Sequence, residues 1–340
     1  MLARALSPLR LASAGLVVLV AAAVVLFTRG SDEYLEIPDK AHPLAGLVSV
    51  EGAKTPNDGG GIYYVDVLVK RASLLESLVP AVRPDGSDVI QRRQLVEPGI
   101  SERERLKLEV ADMKLSQVIA STVALRALGY RIPVRLGGLR VVAVTSDSHA
   151  VGLLKPSDVI VAANGKPVRG REDLRVILAQ HRVGDVVQIG IRRGSKQLTL
   201  AVRTTSDKSN PQRPIIGVLP TQALVVHFPF SIRFNLGEVG GPSAGLAFAL
   251  ELLEKRGRDV DHGYKVAATG QIQLDGTVTR IGGVKQKTIG AREARVDVFL
   301  VPVDGDNARD AKRYAHGLRI IPVESFQQAL RALATLPRKD

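Results

Sequence analysis

The sequence predicts a multidomain α/β (α+β) protein: an N-terminal transmembrane helix, a small α+β region, a unit of short strands around one helix, and a C-terminal mixed α/β domain. Three observations carry this. A charge-free run, LASAGLVVLVAAAVVLFT, occupies Leu11 to Thr28. Short β-branched runs with an Asn164-Gly165 turn fill the middle of the chain, and from Ile215 onward strand and helix signals alternate. With 340 residues, 45% of them apolar, the chain can bury a large core divided among two or three domains.

Composition excludes several chemistries. The chain has no cysteine, so disulfides, thiolate zinc sites and cysteine nucleophiles are ruled out. Its six histidines (His42, His149, His181, His227, His262, His316) lie far apart and form no HExxH pair, so neither a metal centre nor another cofactor is expected. The net charge of +13 is spread among acids, with few aromatics for base stacking. It reads as a solvated basic surface near anionic lipid, and no nucleic-acid partner is expected.

Residues 1–30 form the expected tail and anchor. As a helix, Leu11 to Thr28 would extend about 27 Å, close to a bilayer core. Arg4 and Arg10 precede it and Asp32, Glu33 and Glu36 follow, which places the N-terminus in the cytoplasm and the folded part on the extracytoplasmic side. A cleaved signal peptide is the rival reading, but the small triplet Ala21 to Ala23 lies inside the apolar run. Residues 44–130 form the small α+β region. LVSVEG and IYYVDVLVKR favour strands; Ser73 with Glu76, and Ser101 with Glu104, make capping boxes for two helices. In the second helix Met113, Ser116, Ile119 and Val123 recur at helical spacing and read as core packing. Residues 131–205 carry strands RVVAV, DVIVAANG, DVVQIGIRR and QLTLAV around a helix near Arg171 to His181, and the polar TTSDKSNPQRP that follows has the composition of a linker.

The last domain, 214–340, holds the candidate chemistry. In GPSAG, Pro242 and Ser243 are expected at a helix start, where unpaired backbone amides and the positive dipole end favour a developing oxyanion. Alone, this serine reads equally as an N-cap in a glycine-rich turn. GPSAG also fits the loose GxSxG elbow, with Asp304 or Asp310 and His316 as partners, but FNLGEVGG before it is turn-like rather than a buried strand. Past Gly282-Gly283, a helix from Val284 puts Val284, Lys287, Ala291 and Ala294 on one face, with Lys285 directed toward Ile289 and Arg292. A lysine on such a face loses solvation, its pKa falls, and its neutral amine can take a proton from a serine.

LLKPSDVIVAANGKPV, with the helix and strands after it, resembles a PDZ domain of bacterial envelope proteases. The resemblance implies an extended-peptide site near Leu136, Gly137, Gly138 and Leu139, although this loop departs from the family's Gly-Leu-Gly-Phe type and Ser157 stands where a glycine is usual. GPSAG, VAATGQIQLDGTV and IGGVKQK, in that order, resemble the proteolytic domain of Lon-type peptidases. That resemblance implies Ser243 as nucleophile, Lys287 as general base and Thr269 as a hydrogen-bond partner of the lysine amine, with Pro242 and Ala244 in support. Many Lon domains carry an aspartate three residues before the serine; here it is Gly240. No GxxxxGK[ST] phosphate loop occurs, so no ATPase motor is expected on this chain. In this order the parts resemble the membrane-bound, PDZ-containing Lon-like proteins of bacteria. The implied function is an ATP-independent serine endopeptidase acting on unfolded polypeptides at the cell membrane, assembled as a homo-oligomer, a hexamer by the same resemblance. The rival is a peptide-binding scaffold with an inactive Lon-like domain.

Overall fold

The computed structural model describes residues 8–53, 59–96, 99–237 and 239–339, with side chains of the first helix described from Ala12 onward. Arg4, invoked for orientation, lies outside the described residues, as does the side chain of Arg10. Pro8–Thr28 is a 21-residue α-helix whose Leu16 to Val20 are exposed. Among the described residues, no helix is long and apolar enough to cross a membrane.

The C-terminal domain is built on a five-stranded sheet. Gly61–Tyr64, Lys265–Ala268, Val298–Pro302 and Arg319–Val323 run parallel, with His42–Pro43 antiparallel at the edge. Alternation along these strands makes two cores. Ile62, Val266, Ala268 and Leu300 face Glu102–Ala127, Gly245–Lys255 and Phe326–Ala334; Ala267, Phe299 and Val301 face Val284–Glu293 and Asn307–Tyr314. A parallel strand at the position of Lys265–Ala268 must be paired on both edges and covered on both faces, and residues well before it in sequence do this.

The region 44–130 therefore does not stand apart as a unit. Its strand Gly61–Tyr64 completes the sheet, and its helix Glu102–Ala127 packs on Gly245–Lys255. The middle unit is inserted into the core of the five-stranded-sheet domain, whose two halves flank it in sequence. Both capping boxes form, Ser73 with Glu76 and Ser101 with Glu104. The first helix is shorter than LLESLVPAV suggests: it stops at Leu78, because Pro80 has no N–H to continue it.

In the inserted unit the strand order is Lys196–Arg203, Val186–Arg193, Val159–Ala163, Val134–Val144, Val218–Val226, with Arg171–Leu178 packed on its core. Asn164 (φ 46°) and Gly165 (φ 74°) make the tight turn that their residue types favour. Ser157 has φ 76°, a left-handed conformation that explains why a glycine is usual there. The neighbouring Asp158 is buried and receives Arg193 Nε and Nη2, both at 2.7 Å.

The stretch read as a linker is folded. Thr205–Ser206 pairs with Pro214–Ile215, and Asp207 closes the turn by accepting the Ser209 and Asn210 amides and the Arg213 guanidinium. A sequence of Ser, Asn and Pro codes for a turn as readily as for a tether.

Candidate active site

Ser243 stands on a turn between the strand Ile232–Phe234 and the helix Gly245–Lys255. The helix begins at Gly245 with Ala244 as N-cap, so the serine precedes the first turn instead of lying in it. Gly241 has φ 83°, which turns the chain into the motif. Neighbouring elements pin this turn from two sides. On one, Gly241 N donates to Glu109 O at 2.8 Å, and the buried Ser116 hydroxyl donates to Pro242 O at 3.0 Å. On the other, Ser243 O accepts Gly270 N at 2.7 Å and the Thr269 hydroxyl at 3.2 Å. Gly245 must be small, since a Cβ there would lie 2.8 Å from Ser116 Oγ and 2.9 Å from Ile272 Cγ2.

The helix-start amides expected to hold an oxyanion are partly committed. Gly245 N donates to Pro242 O and Leu246 N to Gly270 O. Among the described residues, the amides of Ser243 and Ala244 have no acceptor and remain for an incoming oxygen. Ala244 itself is buried.

Lys287 lies on Val284–Glu293, whose N-cap Gly283 has φ 65° and sits so close to Val67 that a Cβ would lie 2.7 Å from it. Val284, Lys287 and Ala291 are buried, while Lys285 turns away to Asp88 at 2.6 Å. Lys287 Nζ lies 2.8 Å from Ser243 Oγ. Burial pushes the amine down to about 8; the Asp66 and Glu36 carboxylates oppose this and hold it from falling further. Thr269 is fully buried, yet its hydroxyl goes to the Ser243 carbonyl and not to the lysine amine. It positions the serine's backbone. Ser243, Lys287, Thr269, Pro242 and Ala244 are thus brought together in one place.

Asp66 was not singled out from the sequence, and Glu36 was read only as one of the acids that follow the apolar run. Asp66 follows Tyr64, which pairs with Ala268, so sheet register brings it level with Thr269 and Gly270. Burial raises the pKa of both carboxyls, with Asp39 adding to the effect on Asp66 and Asp88 to that on Glu36. One Asp66 oxygen, Oδ1, is buried without a hydrogen-bond partner and faces His42 Nε2 at 3.7 Å. Ser116, read as core packing, is buried as expected but also holds the Pro242 carbonyl.

Gly240 has a steric reason. A Cβ at this position would lie 2.7 Å from Glu109 Cβ, so an aspartate does not fit unless the Glu102–Ala127 helix moves.

Two clusters among the described residues bring cation ligands together, Asp39 with His42 and Asp66, and Glu254 with Asp259 and Asp261. In the second the carboxylates are spent on loop amides: Glu254 accepts Val260 N and Asp261 N, Asp259 accepts His262 N, and Asp261 accepts Gly263 N. In the first, His42 Nε2 already faces both acids, at 3.4 and 3.7 Å.

Leu136, Gly137, Gly138 and Leu139 do not form an open loop. They lie within Val134–Val144, where Leu136 pairs with Leu224 and Leu139 with Gln222. Gly138 (φ 103°) is obligatory, because a Cβ would lie 2.2 Å from Ile160 O. Val218–Val226 pairs along this strand and is itself the edge strand of the sheet.

Comparison with known proteins agrees with this division. Residues 223–335 match the Lon protease (S16) C-terminal proteolytic domain, and residues 126–204 match the PDZ domain. Lon protease 1 of Myxococcus xanthus is 36% identical over 104 residues, 29% of this chain and 12% of that protein. The Lon protease of Clostridium beijerinckii is 39% identical over 103 residues, 29% of this chain and 13% of that protein. The matched part thus covers only about an eighth of these relatives. A PDZ domain of an SdrC-like protein of Listeria innocua is 28% identical, covering 25% of this chain and 96% of that one, with a TM-score of 0.24. The chain carries a Lon protease (S16) C-terminal proteolytic domain at 223–335 and a PDZ domain at 126–204.

Proposed function

We propose that the protein is a serine endopeptidase working through a Ser243–Lys287 dyad. The observation that carries this is the 2.8 Å approach of Ser243 Oγ to a buried lysine whose pKa is pushed down to about 8. Neutral Lys287 accepts the Ser243 hydroxyl proton as Oγ forms a bond to the peptide carbonyl carbon. The carbonyl oxygen becomes an oxyanion held by the Ser243 and Ala244 amides. The C–N bond then breaks, and the leaving amine takes the proton from Lys287. Water, giving its proton to the same amine, attacks the acyl-enzyme and frees Ser243.

The chain as given has no phosphate loop, which supports catalysis without ATP on segments that are already unfolded. A membrane anchor at 11–28, with the catalytic part on the extracytoplasmic side, is supported by the apolar, exposed side chains of the first helix and the charge asymmetry around it. Polypeptide substrates and a ring-like homo-oligomer, a hexamer in the first instance, follow from the Lon resemblance. The test is casein cleavage by the wild type beside Ser243→Ala and Lys287→Ala. Cleavage by the wild type alone is expected. Equal cleavage by all three rules out the dyad, and absence of cleavage by any of them favours an inactive scaffold.

A further inference from the structure

The strand Val67–Ser73 runs antiparallel to Gly30–Pro38, with Val67 opposite Pro38 and Ser73 opposite Gly30. It carries the chain back to the point where the first helix ends, and there Leu74 N donates to Arg29 O at 2.8 Å. The helix Leu74–Leu78 then packs against the first helix and the small sheet, and no apolar residue of 74–82 joins a hydrophobic core. Of the described side chains in the apolar run, only Ala23 and Leu26 are partly covered, on one face of its last turns. At 1.5 Å per residue, Ala23 lies about 8 Å inside the end of that run.

This excursion leaves five consecutive apolar residues in water. Leu78, Val79, Pro80, Ala81 and Val82 are all exposed. Leu78, at 69%, is more open than any other large apolar side chain described outside the first helix. Folded surfaces seldom carry such a run without a use for it. Charge is absent from its tip and arranged around its base. Glu76, the acid of this helix, is buried and taken up by Lys70 Nζ at 2.8 Å and Ser73 N at 2.9 Å. Arg83 Nε and Nη2 donate to Glu76 O at 2.6 Å and Ser77 O at 2.9 Å, which fixes a guanidinium beside the run. Arg29 and Arg71 are exposed at the same end of the sheet, where Arg71 donates to Ser31 O and faces Asp32 at 3.4 Å.

We propose that Leu78–Val82 is a membrane-interface wedge, inserted into the lipid leaflet beside the first helix with Arg29, Arg71 and Arg83 at the phosphate headgroups. The proposal rests on the anchor reading of 11–28, because packing alongside the last turns of that helix brings the wedge to their depth. An apolar surface with basic flanks is the composition that seats about 5–10 Å into the headgroup boundary. Two attachments fix the tilt of the folded part, where a single helix leaves it free to swing. The same small sheet transmits this to the candidate site. Asp88, opposite Glu36, accepts Lys285 Nζ at 2.6 Å and Gln286 Nε2 at 2.8 Å. The helix of Lys287 is thereby tied to the sheet about 20 Å along the strand from Gly30.

The chain has no cysteine, so single cysteines can be labelled in the full protein. Leu19→Cys, Leu78→Cys, Val82→Cys and, as a remote control, Val176→Cys on the exposed side of Arg171–Leu178 each receive a nitrobenzoxadiazole fluorophore. The proteins are placed in vesicles of phosphatidylcholine and phosphatidylglycerol with plain or brominated acyl chains. Bromine is expected to quench the labels at 19, 78 and 82 about twofold or more and to leave the label at 176 unchanged. Val82→Asp is expected to remove most of the quenching of the Leu78→Cys label and none of that of the Leu19→Cys label, which separates insertion of the chain from insertion of the fluorophore. Quenching at 19 without quenching at 78 and 82 overturns the wedge and leaves the anchor standing. So does quenching at 78 that Val82→Asp does not reduce. Emission at 78 shifted to the blue without bromine quenching assigns the run to a protein partner or a second copy and equally overturns the wedge. Absence of quenching at 19 refutes the anchor, and the wedge with it.

Discussion

The most exposed consequence of the proposed dyad is its pH dependence. Lys287 is held near 8 against an ordinary 10.5. That displacement is worth ~3 kcal/mol and multiplies the neutral fraction at neutral pH by roughly 300. At pH 7 about a tenth of the amine is free to act, against about three parts in ten thousand for an unshifted lysine. Acylation of Ser243, read as the burst from a fluorogenic peptide, is therefore expected to rise about tenfold per pH unit below 8 and to level off above it. Asp66→Asn removes a negative charge that favours the ammonium form, so its inflection is expected at lower pH; Glu36→Gln shifts in the same direction. Lys287→Arg is expected to leave no burst, since a guanidinium stays protonated. An inflection near 10, or one that Asp66→Asn moves upward, would refute the assignment of Lys287 as the base.

The same lysine costs stability. Its folded pKa lies below its unfolded one, so stability falls as pH drops from 10.5 to about 8, and the full cost remains below that. Lys287→Met is expected to raise the melting temperature at pH 7 by a few degrees while abolishing cleavage. Glu251 and Glu254 are raised by burial to about 7 and about 8, so stability is expected to fall as pH rises from 4.5 through these values. Thermal melts of the wild type and of Glu254→Gln should diverge in favour of the variant above pH 8 and converge in acid. Gly240→Asp is expected to destabilise by about 1–3 kcal/mol through overpacking against Glu109, and not to raise activity; denaturant titration and casein cleavage check both. Thr269→Val removes the hydroxyl bond to Ser243 O, and kcat is expected to fall with KM unchanged.

What was legible in the sequence was local. The i, i+3, i+4 spacing was enough to set Lys287 inward and Lys285 outward, and capping boxes marked two helix starts. Illegible features depended on pairing between distant segments. Asp66 meets the site because Gly61–Tyr64 lies beside Lys265–Ala268, a partnership that no spacing announces. Ser116 looked like core from its helical period, and it is core; that its hydroxyl also holds Pro242 depends on which helix packs there. Val218–Val226 reads as the start of the next domain and yet joins the middle unit's sheet, because strand propensity says nothing about which edge a strand will join. For the same reason 44–130 read as a separate α+β region, since order along the chain says little about order in space.

The insertion itself bears on how the molecule is made. Val134 and Val226 are register partners, so the chain enters and leaves the inserted unit at one point, which a host fold tolerates at little cost in loop entropy. During synthesis, however, Gly61–Tyr64 and Glu102–Ala127 emerge long before the strands and helix that cover them. The PDZ core can close while the first half of the protease core still waits, with Ile62, Met113 and Val123 uncovered. A fragment starting near residue 214 lacks those elements and is unsuited to folding alone. The nascent protein passes through a stage in which its most finished part is the insert, and its peptidase core exists only after the last strand, Arg319–Val323, has left the ribosome.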